Sequence, residues 1–221
     1  MKKMVNVIRN GYFLLSSAVA IITTIIVFNA PNTIPIHYDL NGIADSYSSR
    51  WIFLILPFAL VTQAIYWKTK IKQELAENKI SIIISAYAIS VFFSGFALFF
   101  AVRLIQKNLT ILNIIKRINI YSFLSILAGI TFIIMAYAVS KSVFNSSFGI
   151  KTVWSSTDKA CWSKTQNSCK VLFLFSGLLM ILQAFIFKGF TCLALLIIEV
   201  LILAFLCVLL SYFIWRRCKI I

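Results

Sequence analysis

The chain has 221 residues, of which 61% are hydrophobic and 12% charged, and its formal net charge is +15. This composition excludes an ordinary soluble domain and indicates a membrane protein. In a soluble protein so much positive charge would suggest a nucleic-acid partner. Here the basic residues flank apolar runs, so we expect contact with membrane lipid and no direct binding of nucleic acid.

Six apolar runs are long enough, or nearly so, to cross a bilayer, which takes about 20 residues of helix. The first and fifth are short and can gain length from their flanks. The first is not a cleavable signal peptide in our interpretation, because Phe28 stands where a small residue is needed and Pro31 would follow the cut. The sequence therefore predicts an all-α polytopic membrane protein, with residues 1–221 forming a single domain of six transmembrane helices. The runs are 12–28, 51–67, 80–105, 120–140, 171–187 and 190–215.

The polar stretch 31–50 between the first two runs has the pattern of a short β-hairpin. Pro31 and Pro35 favour extended backbone. Apolar and polar residues alternate from 34 to 40, which is the period of a half-buried strand. Asn41-Gly42 is typical of a tight hairpin turn.

His37 is the single histidine of the chain, and Asp39 lies two residues away on the same face of the predicted strand. We interpret the two as a hydrogen-bonded structural pair. Half a metal site and a pH-responsive contact are the alternatives. Asp45, after the turn, can also fold back toward His37. One histidine with carboxylates is too small a set of ligands for zinc, so we predict no metal site.

Four residues within the runs bear on packing or function. Pro57 can kink the second run, and Gly95 and Gly129 allow close approach between helices. Glu199 carries a formal charge deep within the last run, which makes it a functional candidate.

The expected partner of Glu199 is Gln183 on the adjacent run, and more remotely Arg103. The alternative is a protonated, hydrogen-bonded glutamate with a structural role.

The distribution of charge predicts the orientation. With the N-terminus in the cytoplasm, 15 of the 21 Lys and Arg residues lie on the cytoplasmic side, which favours both termini inside. The hairpin 31–50 then faces outward. Residues 106–119 have helical spacing of apolar residues and are predicted to form a short helix on the outer leaflet.

The segment 141–170 is then cytoplasmic. Ser155, three residues before Asp158, has the spacing of a capping box and predicts that a helix begins there. This helix would carry Trp162 and continue into the fifth run. Trp154 and Trp162 are typical of interfacial anchors.

Catalysis finds no support in the sequence. There is no Ser or Cys nucleophile with a histidine in a recognisable motif, and no phosphate-binding glycine loop. The five cysteines have no C-x-x-C spacing, so we interpret them as free thiols. We therefore predict a protein that is not an enzyme and needs no cofactor.

Two motifs together resemble the SdpI-like family of bacterial membrane proteins. The first is Ile34-Pro35-x-His37-Tyr38-x-x-x-Gly42-x-x-Asp45-x-Tyr47. The second is Gly149-Ile150-Lys151-Thr152-x-Trp154-Ser155, followed by Trp162-x-Lys164-Thr165. The family's second signature is usually Gly-Ile-Arg-Thr-Pro-Trp, so this chain departs from it at two positions of that motif, Lys151 and Val153, and again later at Gln166-Asn167. Lysine keeps the charge of arginine but loses its bidentate fork.

The resemblance implies an immunity protein of the bacterial cell membrane, which protects the cell against a secreted peptide toxin. It further implies a second role, the capture of a cytoplasmic transcriptional repressor. In the outer hairpin, the residues assigned to toxin or ligand recognition are Pro35, His37, Tyr38, Asp39, Gly42, Asp45 and Tyr47. The assigned residues of the cytoplasmic motif are Gly149, Lys151, Thr152, Trp154, Trp162 and Thr165. The alternative function is a small transporter or exporter that uses Glu199, with Gln183 and His37.

Overall fold

The computed structural model describes residues 2–39, 43–73, 79–105 and 118–219. Within these ranges the chain forms long helices and one two-stranded hairpin, and a 3₁₀ turn (Arg50–Leu54) leads from the hairpin into the second helix. The elements are α1 (Lys2–Phe28), β1 (Thr33–Tyr38), β2 (Ala44–Ser49), α2 (Ile55–Gln73), α3 (Lys79–Leu104), α4 (Ile120–Ser140), α5 (Lys159–Ile186) and α6 (Gly189–Lys219).

Six candidate membrane spans are present in the described part of the chain, and each is long and apolar enough to cross a bilayer. This confirms the predicted fold. The fourth span begins and ends at the predicted residues, Ile120 and Ser140. The short fifth run gains length from its N-terminal flank, as expected, because α5 is one continuous helix from Lys159 to Ile186.

The helices pack as two sets of three. Helix α1 contacts α2 and α3, helix α4 contacts α5 and α6, and α3 joins the sets by packing against α4. Small and apolar residues fill these contacts, while large apolar side chains on the outer faces remain exposed. Exposed leucine, isoleucine and phenylalanine are the expected surface of a helix in lipid, where the surroundings are as apolar as the core. Helix α6 is the least covered by its neighbours.

Two glycines in the spans permit close helix contact, as the sequence predicted. A Cβ at Gly129 would lie 2.5 Å from the carbonyl oxygen of Gly177 in α5, so neither residue has room for a side chain. A Cβ at Gly95 would lie 2.8 Å from a methyl group of Leu127 in α4. The backbone contact between Gly129 and Gly177 holds α4 close against α5.

Pro57, where the sequence allows a kink, lies near the start of α2. It is the third residue of α2, directly after the 3₁₀ turn. The first N–H groups of a helix have no partner within the helix, so a proline there removes no hydrogen bond. Pro57 therefore lies near the change from 3₁₀ helix to α-helix within the span Arg50–Gln73.

The predicted helix on the outer leaflet lies almost entirely outside the described residues, which exclude 106–117. Of that stretch, the structure describes Ile118 and Asn119. The Asn119 side chain caps α4 by accepting hydrogen bonds from the backbone N–H groups of Tyr121 and Ser122.

Candidate functional site

The outer hairpin is an antiparallel pair with two register shifts, one between Pro35 and His37 and one between His37 and Tyr38. Thr33 pairs with Ser49, and Pro35 with Tyr47, but the next pair is His37 with Ser46, so Ile36 is bulged out of register. The two paired strands confirm the predicted hairpin. Gly42 and the rest of the turn, 40–42, lie outside the described residues.

The apolar side of β1 faces the helices. Ile34 is only 1% exposed and packs in a cluster with Val27, Phe53 and Leu104. Ile36 lies over a neighbouring apolar depression of about 200 Å³, which is lined by the 3₁₀ turn and by α2 and α3. The hairpin is therefore seated on the ends of the helices through its isoleucines.

His37 pairs with Asp45, not with Asp39. The His37 Nδ1 and Asp45 Oδ1 atoms are 2.6 Å apart, which confirms the expectation that Asp45 folds back. Asp39 instead closes the turn: its carboxylate accepts a hydrogen bond from the N–H of Ile43, at 2.7 Å. The predicted His37–Asp39 pair is wrong because same-face neighbours on one strand lie about 7 Å apart, whereas the facing strand brings Asp45 within reach.

The His37–Asp45 pair is accessible from outside the protein. Its side chains are 67% and 47% exposed. Even a charged pair contributes only about 0–1 kcal/mol to stability at an exposed position, so this hydrogen-bonded pair can exchange partners at little cost. Tyr47 on the facing strand is also exposed, and Pro35, opposite Tyr47, is half-buried. Tyr38 pairs through its backbone with Ala44.

Arg50 fixes the base of the hairpin. Its guanidinium donates a hydrogen bond to the carbonyl oxygen of Ala30 at 2.6 Å and lies over the ring of Trp51, 4.6 Å from its centroid. At the other end, the Tyr121 hydroxyl of α4 donates to the carbonyl oxygen of Asp39, at 3.2 Å. The hairpin is thus attached to both sets of helices. Sequence reasoning counted Arg50 only as a charge.

At the opposite ends of the helices, the segment 141–158 folds around Gly149. Its φ is +137°, a conformation that residues with a side chain rarely adopt. A Cβ there would lie 2.6 Å from Ser142 Oγ, 3.0 Å from a ring carbon of Trp162 and 3.1 Å from Gln166 Oε1. The motif needs glycine at this position both for the backbone angle and for the space.

Gln166 holds the backbone that follows Gly149. Its side-chain oxygen accepts from the N–H of Ile150 at 2.9 Å, and its side-chain nitrogen donates to the carbonyl oxygen of Ile150 at 3.1 Å. Gln166 is 1% exposed. The sequence marked it only as a departure from the family pattern, yet in the structure it pairs with Ile150 much as a neighbouring strand would.

Trp162 is a core residue and not an interfacial anchor. It is 1% exposed, and its indole N–H donates to the carbonyl oxygen of Ser142 at 3.0 Å. Trp162 is buried because the segment 141–158 folds back over the first turn of α5. Trp154 is half-buried and makes an edge contact with Tyr212 of α6, with ring centroids 5.2 Å apart.

Ser155 closes a turn and does not begin the helix. Its hydroxyl accepts from the N–H of Thr152 at 2.9 Å and donates to the carbonyl oxygen of Ile150 at 2.8 Å. The Thr152 hydroxyl in turn donates a hydrogen bond to the hydroxyl oxygen of Ser211 in α6, at 2.8 Å. The predicted capping position is therefore wrong by three residues, because the local turn uses the serine first.

Asp158 is the N-cap of α5, and its carboxylate accepts from the N–H of Cys161 at 2.8 Å. The thiol of Cys161 and this backbone N–H both donate to the carboxylate, which holds the pKa of Asp158 below its ordinary value. Lys151 and Val153 are exposed, and Val153 is 85% exposed. Thr165 is fully buried beneath the segment.

The intramembrane polar residues do not form the predicted pair. Gln183 donates to the hydroxyl of Ser125 in α4 at 2.9 Å, and Ser125 donates to the carbonyl oxygen of Met180 at 2.6 Å. Both carboxyl oxygens of Glu199 are shielded from solvent and have no hydrogen-bond partner among the described residues. Arg103 binds elsewhere, donating to the carbonyl oxygen of Ile118 at 2.9 Å.

The cysteines of the described residues are free thiols, as predicted. Within the same ranges, the structure has no group of three or more His, Cys, Asp or Glu residues placed to hold a metal ion.

Six candidate spans, an anchored hairpin at one end and a folded segment at the other define a multi-pass membrane protein with two structured surfaces outside its spans. Residues 141–214 form a domain of the SdpI/YfhL protein family, and residues 14–61 match a domain of unknown function, DUF1648. The first match covers the inner segment with α5 and most of α6, and the second covers the hairpin with the C-terminal part of α1 and the first seven residues of α2. This confirms the resemblance that the two motifs indicated. No curated protein and no solved structure matches the chain.

Proposed function

We propose that this protein is a membrane immunity protein, which protects a bacterial cell against a secreted antimicrobial peptide by binding the peptide or shielding its target. The match of residues 141–214 to the SdpI/YfhL family supports this function. The observation that carries it is the outer hairpin, a small recognition surface fixed to both sets of helices directly beside the membrane. Binding suffices for protection, so the proposal requires no catalytic step.

The proposal includes the orientation of the chain, with both termini in the cytoplasm and the hairpin outside. Positive charge supports it, since 15 of the 21 Lys and Arg residues then lie inside. The last turn of α6 alone carries Arg216, Arg217 and Lys219. In this orientation a secreted peptide meets the hairpin before it meets the spans.

The hairpin offers two kinds of contact to a membrane-active peptide. The apolar depression under Ile36, also lined by Phe96 and Phe100, can accept an apolar side chain. The exposed His37–Asp45 pair can exchange its weak internal contact for one to the peptide. We propose Pro35, Tyr38, Asp39, Gly42 and Tyr47 as further parts of this recognition surface.

The test is expression of the chain in a sensitive bacterial strain that is then challenged with secreted peptides. The intact chain should raise the inhibitory concentration of one such peptide. His37→Ala and Tyr47→Ala should reduce that protection, whereas Lys188→Ala, an exposed change between α5 and α6, should not. If the intact chain protects against no peptide, and if deletion of the gene leaves the natural host equally resistant, the proposal is wrong.

A second function, capture of a cytoplasmic regulator, is favoured by the inner segment. Its backbone is held by Gln166 and Ser211, yet Lys151 and Val153 point outward and are exposed. We propose Gly149, Thr152, Trp154, Trp162 and Thr165 as the residues that shape this surface.

Affinity isolation from membranes, with and without peptide, tests this second function. A transcriptional repressor retained only in the presence of peptide, and lost with Trp154→Ala, is the expected result. Retention of no such partner under either condition would rule the signalling role out.

Glu199 favours a third function, transport, because a carboxyl group without a partner inside a span is available to a proton or a cationic cargo. Glu199→Gln distinguishes the two classes. Transport coupled to this carboxyl would collapse, while immunity by binding at the hairpin would survive.

A further inference from the structure

A groove runs between α4, α5 and α6 at the end of the bundle that carries the inner segment. Its volume is about 380 Å³. Phe132 of α4, Phe173 of α5 and the side chains of Leu203 and Ala204 in α6 line its walls. All of these residues belong to candidate membrane spans, so the walls lie at bilayer depth.

The mouth of the groove is formed by residues 149–152. The Gln166 side chain fixes this backbone through Ile150, and Thr152 fixes it to α6 through Ser211. The mouth is therefore a preformed rim. Lys151 belongs to this rim, and its side chain is exposed.

The groove is apolar along its walls and positive at one end. None of its lining residues is acidic. Along α6 it extends from Val200 at the deep end to Val208 near the mouth, which is about 12 Å of helix at 1.5 Å per residue. A hydrocarbon chain with an anionic head matches this arrangement in polarity and charge, with the part of the chain nearest the head lying in the groove.

Two other apolar depressions provide a comparison. One lies between α1 and α2 and is lined by residues such as Ala20, Pro57 and Val61. The other is the depression under Ile36. Neither has a charged residue in its lining, so either would take hydrocarbon without selecting a headgroup.

We propose that the groove is a binding site for one anionic phospholipid, with an acyl chain between Phe132, Phe173 and α6 and the phosphate against Lys151. A lysine ammonium binds phosphate as a point charge and does not need the bidentate geometry of arginine. The lipid would cover the exposed side of α6 and join it to the inner segment. This inference is independent of the proposed immunity function.

The test uses the purified full-length chain in detergent, with phosphatidylglycerol or zwitterionic phosphatidylcholine of the same acyl chains added. Native mass spectrometry counts retained lipids, and thermal unfolding measures stabilisation. The intact chain should retain one phosphatidylglycerol and unfold at a higher temperature with it, while phosphatidylcholine should be retained far less.

The variants test binding of the lipid headgroup and binding of its acyl chain separately. Lys151→Ala should weaken retention of phosphatidylglycerol about five- to tenfold, the effect of removing one basic contact to an anionic lipid. Lys164→Ala, an exposed lysine on α5, is the matched control and should change nothing. Ala204→Phe fills the groove and should abolish retention, whereas Val61→Phe, in the depression between α1 and α2, should not.

Equal retention of the two lipids by the intact chain would overturn the proposal, as would equal retention by Lys151→Ala and Lys164→Ala. If Ala204→Phe still retains the lipid, the acyl chain lies outside the groove, and this result would also overturn the proposal. Because Lys151 is exposed, its variant tests the proposal even if Ala204→Phe does not fold.

Discussion

Replacing Gly149 with alanine should unfold the inner segment, because the site rejects a side chain for two separate reasons. The first is the backbone angle. At φ +137° a residue with a Cβ is strained by about 1–3 kcal/mol. The second is space, since the new Cβ would lie 2.6 Å from Ser142 Oγ and 3.0 Å from a ring carbon of Trp162.

The neighbours of Gly149 have little freedom to move away. The Ser142 hydroxyl donates to the carbonyl oxygen of Phe148, and the Trp162 indole donates to the backbone of Ser142. Overpacking of this kind costs about 1–3 kcal/mol. The two effects together amount to about 2–6 kcal/mol, a large part of the 5–15 kcal/mol that typically stabilises a folded protein.

The assay is chemical and thermal unfolding of the purified protein in detergent, followed by circular dichroism. Gly95→Ala is the matched control. Its Cβ would meet only the flexible end of Leu127, at 2.8 Å, and alanine gains about 1 kcal/mol over glycine in a helix. The control should therefore stay close to the intact protein. Equal unfolding midpoints for the two variants would refute the reasoning about Gly149.

Three further predictions concern α4, α5 and the N-cap of α5. Gln166→Leu removes both hydrogen bonds to Ile150 and leaves its N–H without a partner, which should lower the free energy of unfolding by about 1–3 kcal/mol. Gly129→Ala would place a Cβ 2.5 Å from the Gly177 carbonyl oxygen and should lower it by about 1–3 kcal/mol or more by separating α4 from α5. Because the folded-state pKa of Asp158 is lowered, its stabilising effect is present above the ordinary value of 3.8 and is lost as pH falls through the folded value, so Asp158→Asn should flatten the acid limb of the stability curve.

Each of these predictions has a control. Asn167→Leu changes an exposed neighbour of Gln166 and should alter stability by less than about 0.5 kcal/mol, so an equal loss in both variants would contradict the role of the glutamine. Ile130→Ala changes an exposed residue next to Gly129 and should leave the α4–α5 contact intact. For Asp158, the measurement is the difference between the two unfolding curves from neutral to acid pH. A difference that does not change with pH would show that the cap does not titrate.

Local patterns predicted the hairpin correctly and offered Asp45 as one partner of His37, but they favoured Asp39. The alternation from 34 to 40 follows from strand geometry, so it was visible in the sequence. Which carboxylate meets His37 depends on the register with β2 and on the bulge at Ile36. A one-residue change of register decides between Asp45 and other partners, and nothing in the sequence of β1 alone specifies it.

The inner segment shows the same limit. The sequence assigned Gly149 and Trp162 to one cytoplasmic motif, and the structure places the two residues in contact. It did not predict that Trp162 is buried, because tryptophan near a span is as typical of an interface as of a core. The structural role of Gln166 could have been inferred from the sequence only by noting a polar residue on the buried side of a helix.

By itself the sequence determined the number and approximate ends of the spans, since the length of an apolar run needed to cross hydrocarbon is a local property of the chain. It also determined the extended, turn-separated character of the stretch 31–50. Only the tertiary structure decided the contacts between distant residues, such as Thr152 with Ser211 and Tyr121 with Asp39. The physical reason is that composition and periodicity select helix, strand and membrane depth, whereas the partner of each polar group depends on which helices pack together and in which register.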